Sequence, residues 1–118
     1  MFSKMKHAWH WSKAMGLYLD QNTTEFLKEM EIYSSEYELT DFERVVVANA
    51  KILTGRNADA KTDFFKLALV IDYVKNPFLS LYCRASVADL DGDRVTYERL
   101  KKEAEVYRSA RFDRALPM

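Results

Sequence analysis

Three leucines at regular intervals constrain this chain most. Leu19, Leu53 and Leu90 each stand just before a break in the helical pattern, 34 and 37 residues apart. Five residues before each comes an alanine: Ala14, Ala48 and Ala85. Seven residues after come Phe26, Ala60 and Tyr97, and fourteen after come Tyr33, Leu67 and Ala104. A fixed period near this length is the mark of stacked helical hairpins, since one hairpin cannot bury its own apolar face. A small residue recurring at one point lets two helices cross closely. At 118 residues the chain has room for one domain of about three such units.

Local signals place six helices. Ser3 can cap a first helix running to about Asp20, and Asn22 with Glu25 opens a second. Thr40 with Glu43 is a fuller capping box before "DFERVVVANAKIL". Gly55 is placed to stop that helix, and Asn57 to cap the fourth. Asn76 precedes Pro77, a residue suited to the first helical position. Gly92 and Asp93 close the fifth helix and cap a sixth, which runs to about Arg108. Apolar residues follow the helical period, as in Phe64, Leu67, Ala68 and Ile71. Only three glycines and two prolines occur, too few for the turns of an all-β fold. The expectation is one all-α domain over residues 1–118, with 109–118 a flexible tail.

The segment "VANAKILTGRNADAKTDFFKLALVID" (47–72) resembles a tetratricopeptide-type repeat, and the likeness is best over residues 42–75. Ala48 stands at the family's small residue in helix A, and Gly55 at its turn glycine. Ala60 stands at the small residue opening helix B, and Phe64 at the helix-B aromatic. The other two units depart from the pattern: Gln21 replaces the turn glycine in the first, and Lys101 the aromatic in the third. The resemblance implies three antiparallel helix hairpins stacked as a short right-handed solenoid. It also implies a non-enzymatic binding scaffold whose helices A line a concave groove. Phe42, Val45, Asn49 and Ile52 of the second unit and Ser86 of the third would then face that groove. Asn49 matches a family position whose asparagine often binds the backbone of a ligand peptide.

Eighteen basic residues balance eighteen acidic ones, which gives no general attraction for nucleic acid. The charge is unevenly spread. Residues 20–43 hold eight acids against Lys28, between mildly basic ends. Cys83 is alone, so no disulfide forms within the chain, and a buried thiol in a reducing, cytoplasmic setting is expected. No apolar run is long enough to span a membrane, and lysines interrupt any leader-like stretch at the N-terminus.

The stretch "KHAWHWSK" (6–13) gathers both histidines and both tryptophans. His7 and His10 share a helix face, but a zinc site needs more ligands than the sequence supplies beside them. "DLDGDRVTYERL" (89–100) begins with calcium-loop spacing at Asp89, Asp91 and Asp93. It then places Arg94 where glycine must turn the loop and Leu100 where a bidentate glutamate belongs. No metal, cofactor or catalytic residue is therefore expected. Trp9 and Trp11 point about 200° apart on a helix, so one neighbour cannot bury both. Phe2, Met5 and Trp9 form the candidate surface for a homodimer or another protein. The overall expectation is a protein-interaction module. The alternative is a regulatory helical bundle that binds a small ligand or lies on a membrane surface.

Overall fold

The computed structural model describes residues 2–109, 112 and 115–117, with side chains from His7 onward. Six helices follow one another: α1 (Phe2–Leu19), α2 (Thr23–Glu36), α3 (Asp41–Leu53), α4 (Asn57–Val70), α5 (Pro77–Leu90) and α6 (Arg94–Glu105). No strand occurs among the described residues. Each helix packs against its neighbours in the chain, and α3 also packs against α5. None of these helices is long and apolar enough to cross a membrane.

The connections alternate between two kinds. Residues 20–22, 54–56 and 91–93 close α1, α3 and α5 with one shared geometry. Gln21, Gly55 and Gly92 take positive φ angles of 63°, 81° and 75°. The next amide then reaches back over the turn: Asn22 N to Leu17 O at 2.9 Å, Arg56 N to Lys51 O at 2.8 Å, Asp93 N to Ala88 O at 2.9 Å. This is the Schellman closure, which satisfies carbonyls that a helix end leaves open. The other kind follows α2 and α4, where Tyr37 and Ile71 leave the helix in extended conformation.

Helix starts follow the sequence signals unevenly. The Thr40 hydroxyl accepts from Glu43 N at 3.2 Å, and Glu43 Oε1 accepts from Thr40 N at 2.8 Å, completing the box. Asp93 accepts from Thr96 N at 3.2 Å, and hydrogen bonding to the Thr96 side chain, then to its backbone, holds the Asp93 carboxyl below the usual range. Asn22 and Asn76 occupy N-cap positions, but their side chains make no capping bond. Asn57, expected as a cap, is instead the first residue of α4. Ser3 lies within α1, with its side chain outside the described residues. α6 ends at Glu105 rather than Arg108, because the amides of Val106, Tyr107 and Arg108 tighten onto carbonyls three residues back.

The core follows the period of the sequence. Ala14, Ala48 and Ala85 are completely buried, and so are Phe26, Ala60, Phe64 and Ala104. Tyr33 and Leu67 join them. The marker leucines behave differently: Leu19 and Leu53 are exposed. The alanines therefore carry the close packing, and of the three leucines only Leu90 packs against the core. Cys83 is fully buried, and burial pushes its thiol up to about 12.

Candidate functional site

α1, α3 and α5 present one face on which three polar side chains meet. Asn49 of α3 donates from Nδ2 to the Tyr18 hydroxyl of α1 at 2.7 Å. Its Oδ1 accepts from the Tyr82 hydroxyl of α5 at 3.2 Å. An asparagine amide can bridge two such hydroxyls because it both donates and accepts. Tyr18 and Tyr82 are buried to within a few percent, and burial raises both phenols above their ordinary range. They stay neutral donors at every physiological pH.

The two hydroxyls point at main chain from the far end of the sequence. Tyr18 donates to the carbonyl of Ala115 at 2.6 Å, across 97 residues. Tyr82 shares its single proton between Asn49 and the carbonyl of Pro117, the latter at 3.4 Å. Ala115 and Leu116 are buried. The Leu116 amide turns back to the carbonyl of Phe112 at 2.9 Å. The Phe112 ring stacks on Phe78 of α5, with centroids 4.5 Å apart and planes 14° from parallel. It also meets Phe42 of α3 at 5.9 Å, and Phe42 meets Trp11 of α1 at 6.2 Å. The segment expected as a loose tail over 109–118 is therefore seated at Phe112 and at Ala115–Pro117.

The residues expected to line a groove fall as follows. Asn49 is the centre of the network, half-buried. Phe42 is half-buried between Trp11 and Phe112. Val45 is completely buried, on the α3 face that Phe42 and Asn49 bracket. Ile52 is half-buried against the core, and Ser86 is half-buried. Tyr18 and Tyr82 are not among the residues expected on this face. A signal was present. Tyr18 lies four residues after Ala14, and Tyr82 three before Ala85, so each shares the face of a close-packing alanine. A buried tyrosine there must find a hydrogen-bond partner.

A second polar cluster joins α1, α2 and α3. The Tyr33 hydroxyl donates to Glu43 Oε2 at 3.1 Å, and His7 Nε2 lies against the same hydroxyl. His7 Nε2 is 3.5 Å from that carboxylate oxygen. Glu43 is only 3% exposed, with its other oxygen committed to the α3 cap. Burial, then the Glu43 charge, raises the Tyr33 phenol. His7 and His10 both pack edge-on or tilted against the rings of Tyr33 and Tyr37. No group of three His, Cys, Asp or Glu placed to hold a metal occurs among the described residues. The three aspartates with calcium-like spacing are each partnered: Asp89 with Arg94 at 2.7 Å, Asp91 with Lys61, Asp93 with the α6 amide.

Trp9 is 61% exposed, with the Lys13 ammonium 5.5 Å from its ring centroid. The side chains of Phe2 and Met5, named with it as a candidate surface, lie outside the described residues. Comparison with protein-family models, curated proteins and solved structures finds no match to this chain.

Proposed function

We propose that this chain is a tetratricopeptide-like interaction module that binds the main chain of another protein on its α1–α3–α5 face. In this reading α1–α2, α3–α4 and α5–α6 are three antiparallel hairpins stacked as a short right-handed solenoid. The shared turn geometry after α1, α3 and α5 supports it, as does the burial of Ala14, Ala48 and Ala85. The long axis of 45 Å is nearly twice the shortest, 24 Å, which suits stacked layers. The module works without catalysis and in the cytoplasm, and it pairs with a second copy through the Trp9 side of α1.

One observation carries the reading: Tyr18, Asn49 and Tyr82 form a neutral network in which Tyr18 gives its proton to a peptide carbonyl and Tyr82 shares its own between Asn49 and a second one. Main-chain contacts of this kind give affinity without demanding one sequence. The test is capture of partner proteins from cells by the full chain and by Asn49→Ala. The expected result is a set of proteins held by the first and lost by the second, with helical circular dichroism unchanged. Capture that ignores Asn49 rejects this face as the binding surface.

A further inference from the structure

The chain's own C-terminal stretch sits where the partner would bind. Two main-chain carbonyls, those of Ala115 and Pro117, accept from Tyr18 and Tyr82. Between them Leu116 is completely buried. Phe112 fills the space between Phe42 and Phe78 at 5.9 and 4.5 Å. These are four contacts by one short segment on three separate helices, made through backbone acceptors and apolar side chains. They are contacts a foreign peptide can copy.

We propose that the tail, through Phe112 and Ala115–Pro117, is a tethered occupant of the α1–α3–α5 face. The partner is then an extended protein segment of the same chemistry: an aromatic residue, followed three positions on by a small residue, leucine and proline. It must displace the tail to bind. This proposal rests on the interaction reading and adds the ligand and its regulation. The chemistry fits a competition. The described contacts of Phe112, Ala115 and Pro117 are neutral, so breaking them strands no buried charge. A tether of a few residues gives an effective concentration on the order of millimolar, so a free peptide competes at a disadvantage set by the fraction of open chains.

The experiment uses the full chain and a fluorescent synthetic peptide, SARFDRALPM, matching residues 109–118. Binding is read by anisotropy to the native chain and to Leu116→Glu, which is expected to eject the tail. The opened variant should bind the peptide at least ten-fold more tightly than the native chain. A peptide carrying Leu116→Asp should not bind, and adding Asn49→Ala to the opened chain should remove binding. Equal affinity for native and opened chains, or no binding by a folded opened chain, overturns the proposal. So does a native dimer that falls to monomer on adding peptide, since the tail would then sit on a second copy.

If Leu116→Glu fails to fold, a full chain carrying Tyr18→Phe and Tyr82→Phe is compared with native by amide exchange. Faster exchange at the Leu116 amide is expected, and unchanged exchange overturns the proposal. Failure here with Asn49-dependent capture intact removes the tethered tail and leaves the interaction reading. Tail-peptide binding with capture independent of Asn49 does the reverse.

Discussion

The two polar clusters of this molecule solve one problem in different ways. Both place buried tyrosine hydroxyls where helices meet. Around Asn49, every group is neutral: Tyr18 donates to a backbone carbonyl, and Tyr82 shares its proton between Asn49 and another. Around Glu43, a carboxylate 3% exposed is held by a tyrosine, a histidine and its own helix cap. A buried charge must keep its partners, because losing one strands the rest in a poor solvent. A neutral hydroxyl that loses a carbonyl loses much less. The Glu43 cluster is therefore a fixed joint between α1, α2 and α3, and the Asn49 cluster a releasable one.

That contrast can be attacked in order of effect. High pH should strike both clusters. Tyr18, Tyr33 and Tyr82 have raised phenols, and the Cys83 thiol is pushed up to about 12. The unfolded chain ionises these groups at lower pH than the folded chain does. Stability is therefore full below the unfolded values and falls as pH climbs through them. Between about pH 8 and pH 11 the loss should be roughly 3 kcal/mol or more, read by urea unfolding at each pH. A flat profile would mean these side chains are wet in solution.

Removing the fixed joint comes next. Glu43→Ala takes away a capping bond and the acceptor of Tyr33, and should cost about 3 kcal/mol in denaturant unfolding. Tyr82→Phe removes a shared, neutral hydrogen bond and should cost about 1 kcal/mol. Equal costs would erase the distinction between the two clusters. A smaller change is a gain. Gln21 holds a left-handed φ of 63° where the matching turns use glycine. Gln21→Gly should relieve about 1 kcal/mol and raise Tm by about 4 °C in calorimetry. Least costly is Trp9→Ala, which should change stability by under about 0.5 kcal/mol. In light scattering it should turn a dimer into a monomer, and a native monomer rejects the Trp9 surface.

Much of the scaffold is legible in the sequence because its signals are local. The Thr40–Glu43 box, the stops at Gly55 and Gly92, Pro77 at a helix start and the recurring alanines each act within one or two turns of chain. The asparagines are weaker signals: neither Asn22 nor Asn76 makes a side-chain capping bond. Asn22 lies in the closure of α1, where its backbone amide is already committed to Leu17. Of the candidate face, the family resemblance points to Asn49 and Phe42 on α3. The other half of the face depends on contacts between Tyr18 and Ala115, 97 residues apart, which no local pattern encodes. The tail misleads for the same reason. "SARFDRALPM" is short, charged and without helical period, so the buried Ala115 and Leu116 carry no signal until the face they fill exists. Val45 shows the converse: placed on the groove face by register, it lies fully buried.

The turns after α1, α3 and α5 also say where this chain can be lengthened. In each, three residues both stop one helix and lead directly into the next, with the left-handed residue in the middle. Such a joint has no slack, and one added residue would break the backward hydrogen bond and rotate the following helix. The connections at 37–40 and 71–76 leave their helices in extended conformation and carry no such closure. Inserted sequence, whether acquired by descent or grafted as a reporter, should be tolerated among the exposed residues 72–76 and refused at 54–56.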